Sequence, residues 1–256
     1  MDARLIAFER LLNIMDELRA KCPWDQKQTF ESLRHLTIEE TYELSDAILK
    51  GDKTEIKKEL GDVLLHLVFY SKLGSETKDF DITDVINSVC EKMIFRHPHI
   101  YGDVKVKNSE EVIQNWEKLK QKEGNNGALS GVPNSMPSLL KALRIQDKAR
   151  AIGFDWEDPN QVWEKVQEEL SELQVEVKAN HQEKLENEFG DVFFALINYA
   201  RFLNVNPEDA LEKTNKKFIS RFNYMEQKIL AQGKALADCG LTEMDVFWNE
   251  AKKLEK

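Results

Sequence analysis

Two stretches of this chain repeat each other at a fixed distance, and the repeat limits what the chain can fold into more than any other feature. Glu39-Glu40-Thr41-Tyr42-Glu43-Leu44 is answered 129 residues later by Glu168-Glu169-Leu170-Ser171-Glu172-Leu173. At the same offset, ELGDVLLHLVFY (59–70) is answered by EFGDVFFALINY (188–199), with six of twelve positions identical. At an offset of 125, Lys92-x-x-x-Arg96 is answered by Lys217-x-x-x-Arg221, which implies a connection four residues shorter in the second copy. Trp116 in NWEKLK has a partner in Trp248 of FWNEAK. A chain of 256 residues with this internal match is expected to hold two similar domains in tandem.

The periodicity within each copy is helical. Leu5, Phe8, Leu12, Met15 and Leu18 line one side of a helix expected over 4–19, and CPWD (22–25) breaks it. Further helices are expected from near Phe30 to Lys50, ended by Gly51-Asp52; over 54–73, ended by Gly74; from 81–84 to the HPH at 97–99; and over 109–123. With only 11 Gly and 6 Pro, long uninterrupted elements are favoured. Gly, Asn, Ser and Pro concentrate at 124–137, the best linker in the chain. The expectation is an all-α protein: a domain at 1–123, a linker at 124–137 and a domain at 138–256. Phe193, Phe194, Leu196, Ile197 and Phe202 in one helix exceed what a single partner helix can cover, which predicts a homodimer that completes each bundle.

Charge and cysteine content exclude several classes. A net charge of −10 disfavours a nucleic-acid binder working through a basic face, although an acidic protein can bind phosphates through a metal cation. The longest apolar run, 63–70, is broken by His66, so no segment should span a membrane. The first twenty residues read as an amphipathic helix and not as a signal peptide. Three scattered cysteines without CxxC disfavour a disulfide framework or a zinc site and fit a reducing cytoplasm.

The chemistry concentrates in carboxylates. On a helix, Glu39, Glu40 and Glu43 share a face, as do Glu59 and Asp62 on the next. A short connection turning at Gly51 makes the two helices antiparallel neighbours, so the acids face one another. The second copy opposes Glu168, Glu169 and Glu172 to Glu188 and Asp191. Such a cluster is costly unless cations neutralise it, and oxygen-only ligands select hard ions, Mg²⁺ first and Mn²⁺ next. A di-iron bundle would need Glu-x-x-His pairs, which neither copy has. EExxE by itself is common on solvated helix faces. Two features favour metal here: Gly61 and Gly190 sit mid-helix at a cost of about 1 kcal/mol each, which a close backbone approach or access to an ion would explain, and apolar runs follow each aspartate. The histidines read as core, loop or surface, since His66 becomes Ala195 and His97 becomes Phe222 in the second copy. Trp24 and Trp156 could serve base stacking or core packing equally.

Taken together, CPWDQKQT (22–29), EETYE (39–43), ELGD (59–62), RHPHIY (96–101), IQDKARAIGFDW (145–156), EELSE (168–172), EFGD (188–191) and NKKFISRF (215–222) resemble the MazG-type nucleoside triphosphate pyrophosphohydrolases in their tandem form. The resemblance implies an all-α dimer that uses Mg²⁺ to cleave nucleoside triphosphates between the α and β phosphates, releasing monophosphate and pyrophosphate, with a role in cleaning nucleotide pools. It implies Glu169, Glu172, Glu188 and Asp191 as metal ligands, Glu168 as the residue that orients water, Lys217 and Arg221 as phosphate clamps, and Trp248 near the nucleoside. In the first copy the matching acids are Glu40, Glu43, Glu59 and Asp62, with Lys92, Arg96 and Trp116 on the nucleotide side.

The copies are unequal. Lys165, Lys184 and Asn215 of the second correspond to Leu36, Glu55 and Cys90 of the first. A triphosphate carries about four negative charges, so losing two lysines should weaken its binding severely. The second domain is therefore expected to be the main catalytic one. The competing expectations are a metal-binding dimerisation or regulatory module without turnover, and a pyrophosphohydrolase narrow for one modified nucleotide.

Overall fold

The computed structural model describes residues 2–109, 111, 112, 115, 116, 119 and 127–254. They form helices α1 (Ala3–Lys21), α2 (Phe30–Lys50), α3 (Lys53–Thr77), α4 (Ile82–Arg96), α5 (Pro98–Tyr101), α6 (Ser138–Ala151), α7 (Pro159–Ala179), α8 (Gln182–Phe202), α9 (Pro207–Ala231) and α10 (Leu241–Leu254), with short 3₁₀ turns at Asp25–Lys27 and Leu236–Asp238. No strand occurs among the described residues, and none of their helices is long and apolar enough to cross a membrane. The helix expected over 109–123 falls largely outside the described residues. So do residues 124–126 of the expected linker.

The chain divides into two compact units, 1–112 and 113–256. In the first, α2 and α3 form the closest helix pair, with α1 and α4 packed on α3. Thr29 opens α2 with a capping box, and Gly51 closes it in the left-handed region at φ 71°. Met15, Leu33, Val68, Phe69 and Leu73 make a continuous buried core, with Leu36 packed against it. His66 is buried in the same unit, its Nδ1 2.8 Å from Thr37 Oγ1, which in turn lies 2.7 Å from Tyr70 Oη. Burial pushes its pKa down, which fits a core histidine satisfied by hydrogen bonds.

The helix expected to stop at Gly74 continues to Thr77 and ends at Lys78, in the left-handed region at φ 62°. Gly74 has a different duty. A Cβ there would lie 2.7 Å from the Phe80 ring and 2.8 Å from the Phe80 carbonyl, so glycine admits the returning chain against α3.

In the second unit α7 and α8 form the closest pair, turning at Asn180 (φ 56°), the counterpart of Gly51. Asp158 and Pro159 open α7. α6 packs on α8, and α9 touches α6, α8 and α10. Val162, Val166, Val192, Ala195, Ile197, Met225, Ile229 and Ala251 are buried. The described part of the Gly/Asn/Ser/Pro-rich stretch, residues 127–137, belongs to this unit, and Lys148 Nζ donates to the Ala128 carbonyl at 3.5 Å.

Candidate metal and nucleotide site

The helix pairing brings acids of adjacent helices together in both units. In the second, carboxylate oxygens of Glu169, Glu172 and Glu188 lie within 4.8 Å of one another; in the first, Glu40, Glu43 and Glu59 do the same. The turn geometry explains this. An antiparallel pair closed by one left-handed residue places positions at matching distances from the turn on the same level. Asp62 and Asp191 lie close enough to act on their neighbours: each helps to raise the pKa of an acid in its cluster.

The two clusters settle their charge differently. Lys165 Nζ contacts Glu169 Oε1 at 2.7 Å and Glu168 Oε1 at 2.9 Å, and these bonds push the lysine pKa up. Glu169 is buried, so the lysine supplies the partner that an ionised carboxylate there needs. Glu188, across the groove, is pushed up by burial and then by Glu172, Asp191, Glu169 and Glu176. In the first unit the paired acid is Glu59 on α3, bound by Lys58 at 2.9 Å, and the acid pushed up, by burial and then by Asp62, Glu43, Glu59 and Glu39, is Glu40 on α2. By sequence register Glu59 matches Glu188 and Glu40 matches Glu169. The internal lysine has therefore changed helices between the copies.

The donor set fits a hard divalent cation. All candidate ligands are carboxylate oxygens, and the buried Glu59 Oε2 and Glu176 Oε2 have no hydrogen-bond partner. Glu176 is a residue that the sequence reasoning missed. It sits one turn beyond Glu172 and faces Lys184 at 4.0 Å. The signal was available in the repeat register, where Glu176 stands opposite Ala47 and Lys184 opposite Glu55.

The two cations expected to clamp phosphate, Lys217 and Arg221, are carried by α9. Lys217 and Asn215 are exposed on α9, which packs on α6, α8 and α10. Among the described residues, no ion pair joins Lys217 to the acids of α7 and α8. Arg221 lies over the Trp248 ring at 5.8 Å, and Trp248 packs on Phe218 with ring centroids 5.0 Å apart, so α10 supplies a platform for the arginine. Lys92 and Arg96 hold the matching place on α4, and Trp116 is half-buried. Gly61 and Gly190 face open space, since a Cβ at either would meet nothing within 4 Å. The close-approach explanation for them therefore finds no support within the chain.

Both acid clusters fall inside segments, 28–101 and 157–225, that match the model of the MazG nucleotide pyrophosphohydrolase domain. The chain belongs to the MazG family, with two copies of its domain. Each matched segment also contains the cationic pair on α4 or α9, while Trp116 and Trp248 lie beyond the matches. The nucleoside triphosphate pyrophosphohydrolase/pyrophosphatase MazG of Thermotoga maritima is 44% identical over 252 residues, covering 96% of each chain. The nucleoside triphosphate pyrophosphohydrolase of Escherichia coli strain K12 is 39% identical over 256 residues, covering 96% of this chain and 97% of its own. A crystal structure of a mazG-related protein from Thermotoga maritima covers 44% of this chain and 98% of its own, at 29% identity and a TM-score of 0.40.

Proposed function

We propose that this MazG chain hydrolyses nucleoside triphosphates to the monophosphate and pyrophosphate, with the second unit as the principal site and nucleotide-pool housekeeping in the cytoplasm as its role. The observation that carries it is the convergence of Glu169, Glu172 and Glu188 oxygens within 4.8 Å across an interhelical groove, in a chain of this family. Glu169, Glu172, Glu188 and Asp191 would hold Mg²⁺, with Mn²⁺ able to serve in its place. When bound, the ion offsets the triphosphate charge and makes water more acidic.

The chain's own residues do the rest. Glu168, exposed beside the cluster, orients the attacking water and accepts its proton. Lys165 exchanges its carboxylate partners for a phosphate oxygen, and Lys184 meets the phosphates from the turn end of the groove. Lys217, Arg221 and Asn215 bind phosphate from α9, with Trp248 holding Arg221 beside the nucleoside. In the first unit Glu40, Glu43, Glu59 and Asp62 form the second metal set, and Lys92, Arg96 and Trp116 its weaker nucleotide side. We place the domain limits at 1–123 and 138–256.

A homodimer completes the bundles. Exposed Leu60, Leu64 and Leu67 on α3 correspond in register to exposed Phe189, Phe193 and Leu196 on α8, so both units present an equivalent apolar stripe beside the acids. The deciding assay is pyrophosphate release from mixed nucleoside triphosphates with Mg²⁺, run on the wild-type chain and on Glu172→Ala. Metal binding without release would favour a regulatory module.

A further inference from the structure

The groove between α7 and α8 is built in rungs. Counted from Asn180 at the turn, Glu176 and Lys184 stand four residues away on either side, Glu172 and Glu188 eight, and Glu169 and Asp191 eleven. The helices are antiparallel, so each pair shares a level, and four residues of helix advance about 6 Å. The acids of the metal set hold the second and third rungs. The first, beside the turn, holds one acid and one cation instead. The stacked Trp163 and Tyr199 lie beyond the third, toward the end away from the turn.

Glu176 is short of donors. Its side chain is 16% exposed, Oε1 lies 4.0 Å from Lys184 Nζ, and Oε2 is shielded from solvent and accepts no hydrogen bond. A carboxylate in that state draws in the nearest mobile cation. Lys184 answers that description, with a flexible side chain that is 66% exposed. Burial fixes the acid, and the acid confines the ammonium to the first rung. At 4.0 Å the attraction is electrostatic and not a hydrogen bond, so the ammonium donors are not spent on Glu176 and can turn to a phosphate.

The two copies differ at this rung as a pair. Counted the same way from Gly51, buried Ala47 and exposed Glu55 replace Glu176 and Lys184, whereas Glu43 with Glu59 and Glu40 with Asp62 keep both other rungs. An acid that served helix packing alone would have no reason to be matched to the lysine across the groove.

Position along the groove gives the pair its duty. The connection at Asn180 closes this end, so a nucleotide whose α–β bond lies at the metal set points its phosphate tail toward the turn and its nucleoside away from it. The last phosphate of a triphosphate then reaches the first rung. A diphosphate held for cleavage at the same bond ends one phosphate short of it.

We propose that Glu176 is a positioning residue that holds Lys184 at the closed end of the groove, where the pair selects triphosphates over diphosphates by their terminal phosphate. This rests on the pyrophosphohydrolase reading given above and adds the element that counts phosphates.

The test uses the full chain, Glu176→Gln, Lys184→Met and the double variant, with ATP and ADP as substrates. Hydrolysis at the α–β bond gives AMP and pyrophosphate from the first, and AMP and phosphate from the second, so AMP release reads both. Calorimetric titration with the non-hydrolysable α,β-methylene analogues of ATP and ADP reads binding separately. Glu176→Gln should lower the ATP-to-ADP ratio of kcat/KM at least threefold, through KM and with kcat for ATP within twofold. Lys184→Met should lower the ratio at least tenfold, and the double variant should match Lys184→Met within twofold. The analogue affinities should show the same changes of ratio. An equal loss for ATP and ADP overturns the proposal, because the pair would then serve a phosphate that both share. An unchanged ratio overturns it too, as does a further fall in the double variant or a shift in the Mg²⁺ concentration for half-maximal rate. If circular dichroism shows Glu176→Gln unfolded, Glu176→Asp, which shortens the reach and keeps the charge, is held to the same outcomes with a twofold threshold. Should the wild-type chain release no AMP from either nucleotide, the parent reading fails by itself, and the analogue titrations still decide whether the pair tells three phosphates from two.

Discussion

Lys165 Nζ lies 2.7 Å from Glu169 Oε1, one helical turn away, so the second acid cluster carries its own counter-ion. A divalent cation entering the cluster competes with this ammonium. Lys165→Met should therefore tighten Mg²⁺ binding several-fold while lowering kcat/KM for triphosphates by roughly one to two orders of magnitude, the worth of one charge-assisted contact to phosphate. Calorimetric Mg²⁺ titration and steady-state pyrophosphate release on the same preparation read the two effects separately. If both move in the same direction, the lysine is not the cation that metal displaces.

The two units should differ in what they contribute. Glu172→Ala or Asp191→Ala in the full chain is expected to abolish turnover with little change in helical circular dichroism, because both residues are exposed and remove like-charge repulsion when lost. Glu43→Ala should keep most of the activity. Equal losses in the Glu43 and Glu172 variants would mean that the sites are equivalent or coupled.

Stability of the metal-free chain should depend on pH with a definite sign. Glu40 and Glu188 are pushed above the ordinary value of 4.5, so the folded state holds their protons more tightly than the unfolded chain does. Their contribution is complete below 4.5 and is lost as pH rises through the raised values. His66 works the other way, since its lowered pKa costs stability as pH falls below 6.5. Melting temperature recorded with and without saturating Mg²⁺ at each pH reads the acids most directly, because His66 bonds Thr37 and meets the metal set only through the charge of Asp62. The Mg²⁺ increment should grow as pH rises from 4.5; an increment independent of pH would mean that metal does not relieve these acids.

Glu176 is expected to act through Lys184. Glu176→Gln should raise KM for triphosphates severalfold in the wild-type background and have no further effect in Lys184→Met, because one absent cation cannot be mispositioned twice. A full additional loss in the double variant would make Glu176 an independent contributor, and a shift in Mg²⁺ dependence would identify it as a ligand.

Glycines at two kinds of position should respond oppositely to alanine. Gly74→Ala drives a methyl into Phe80 and should destabilise by about 1–3 kcal/mol. Gly190→Ala meets nothing in the chain and should stabilise α8 by about 0.5–1 kcal/mol. Denaturant melts of the two variants give the comparison, and a destabilised Gly190→Ala would point to something that packs against α8 only in solution.

Much of this was readable from the residues alone. The repeat register, the acid spacing and the Gly51 turn were enough to place Glu40, Glu43 and Glu59, and likewise Glu169, Glu172 and Glu188, together, because helical period and a short antiparallel connection leave few other arrangements. Gly74 misled because a helix-ending glycine and a close-packing glycine look alike until the partner, Phe80, is known. Lys58 could not be singled out, since its pairing with Glu59, the next residue on the same helix, depends on which rotamer each adopts.

Leu36 and Lys165 occupy the same place in the two copies, yet Leu36 packs on an oil-like cluster while Lys165 spans two carboxylates. Contacts of the first kind are indifferent to dissolved salt, and contacts of the second kind fade as the Debye length shortens. One substitution has thus given the second helix pair an ionic contact where the first keeps an apolar one, so that a change in dissolved salt would reach the Lys165 contact and leave its counterpart at Leu36 as it was.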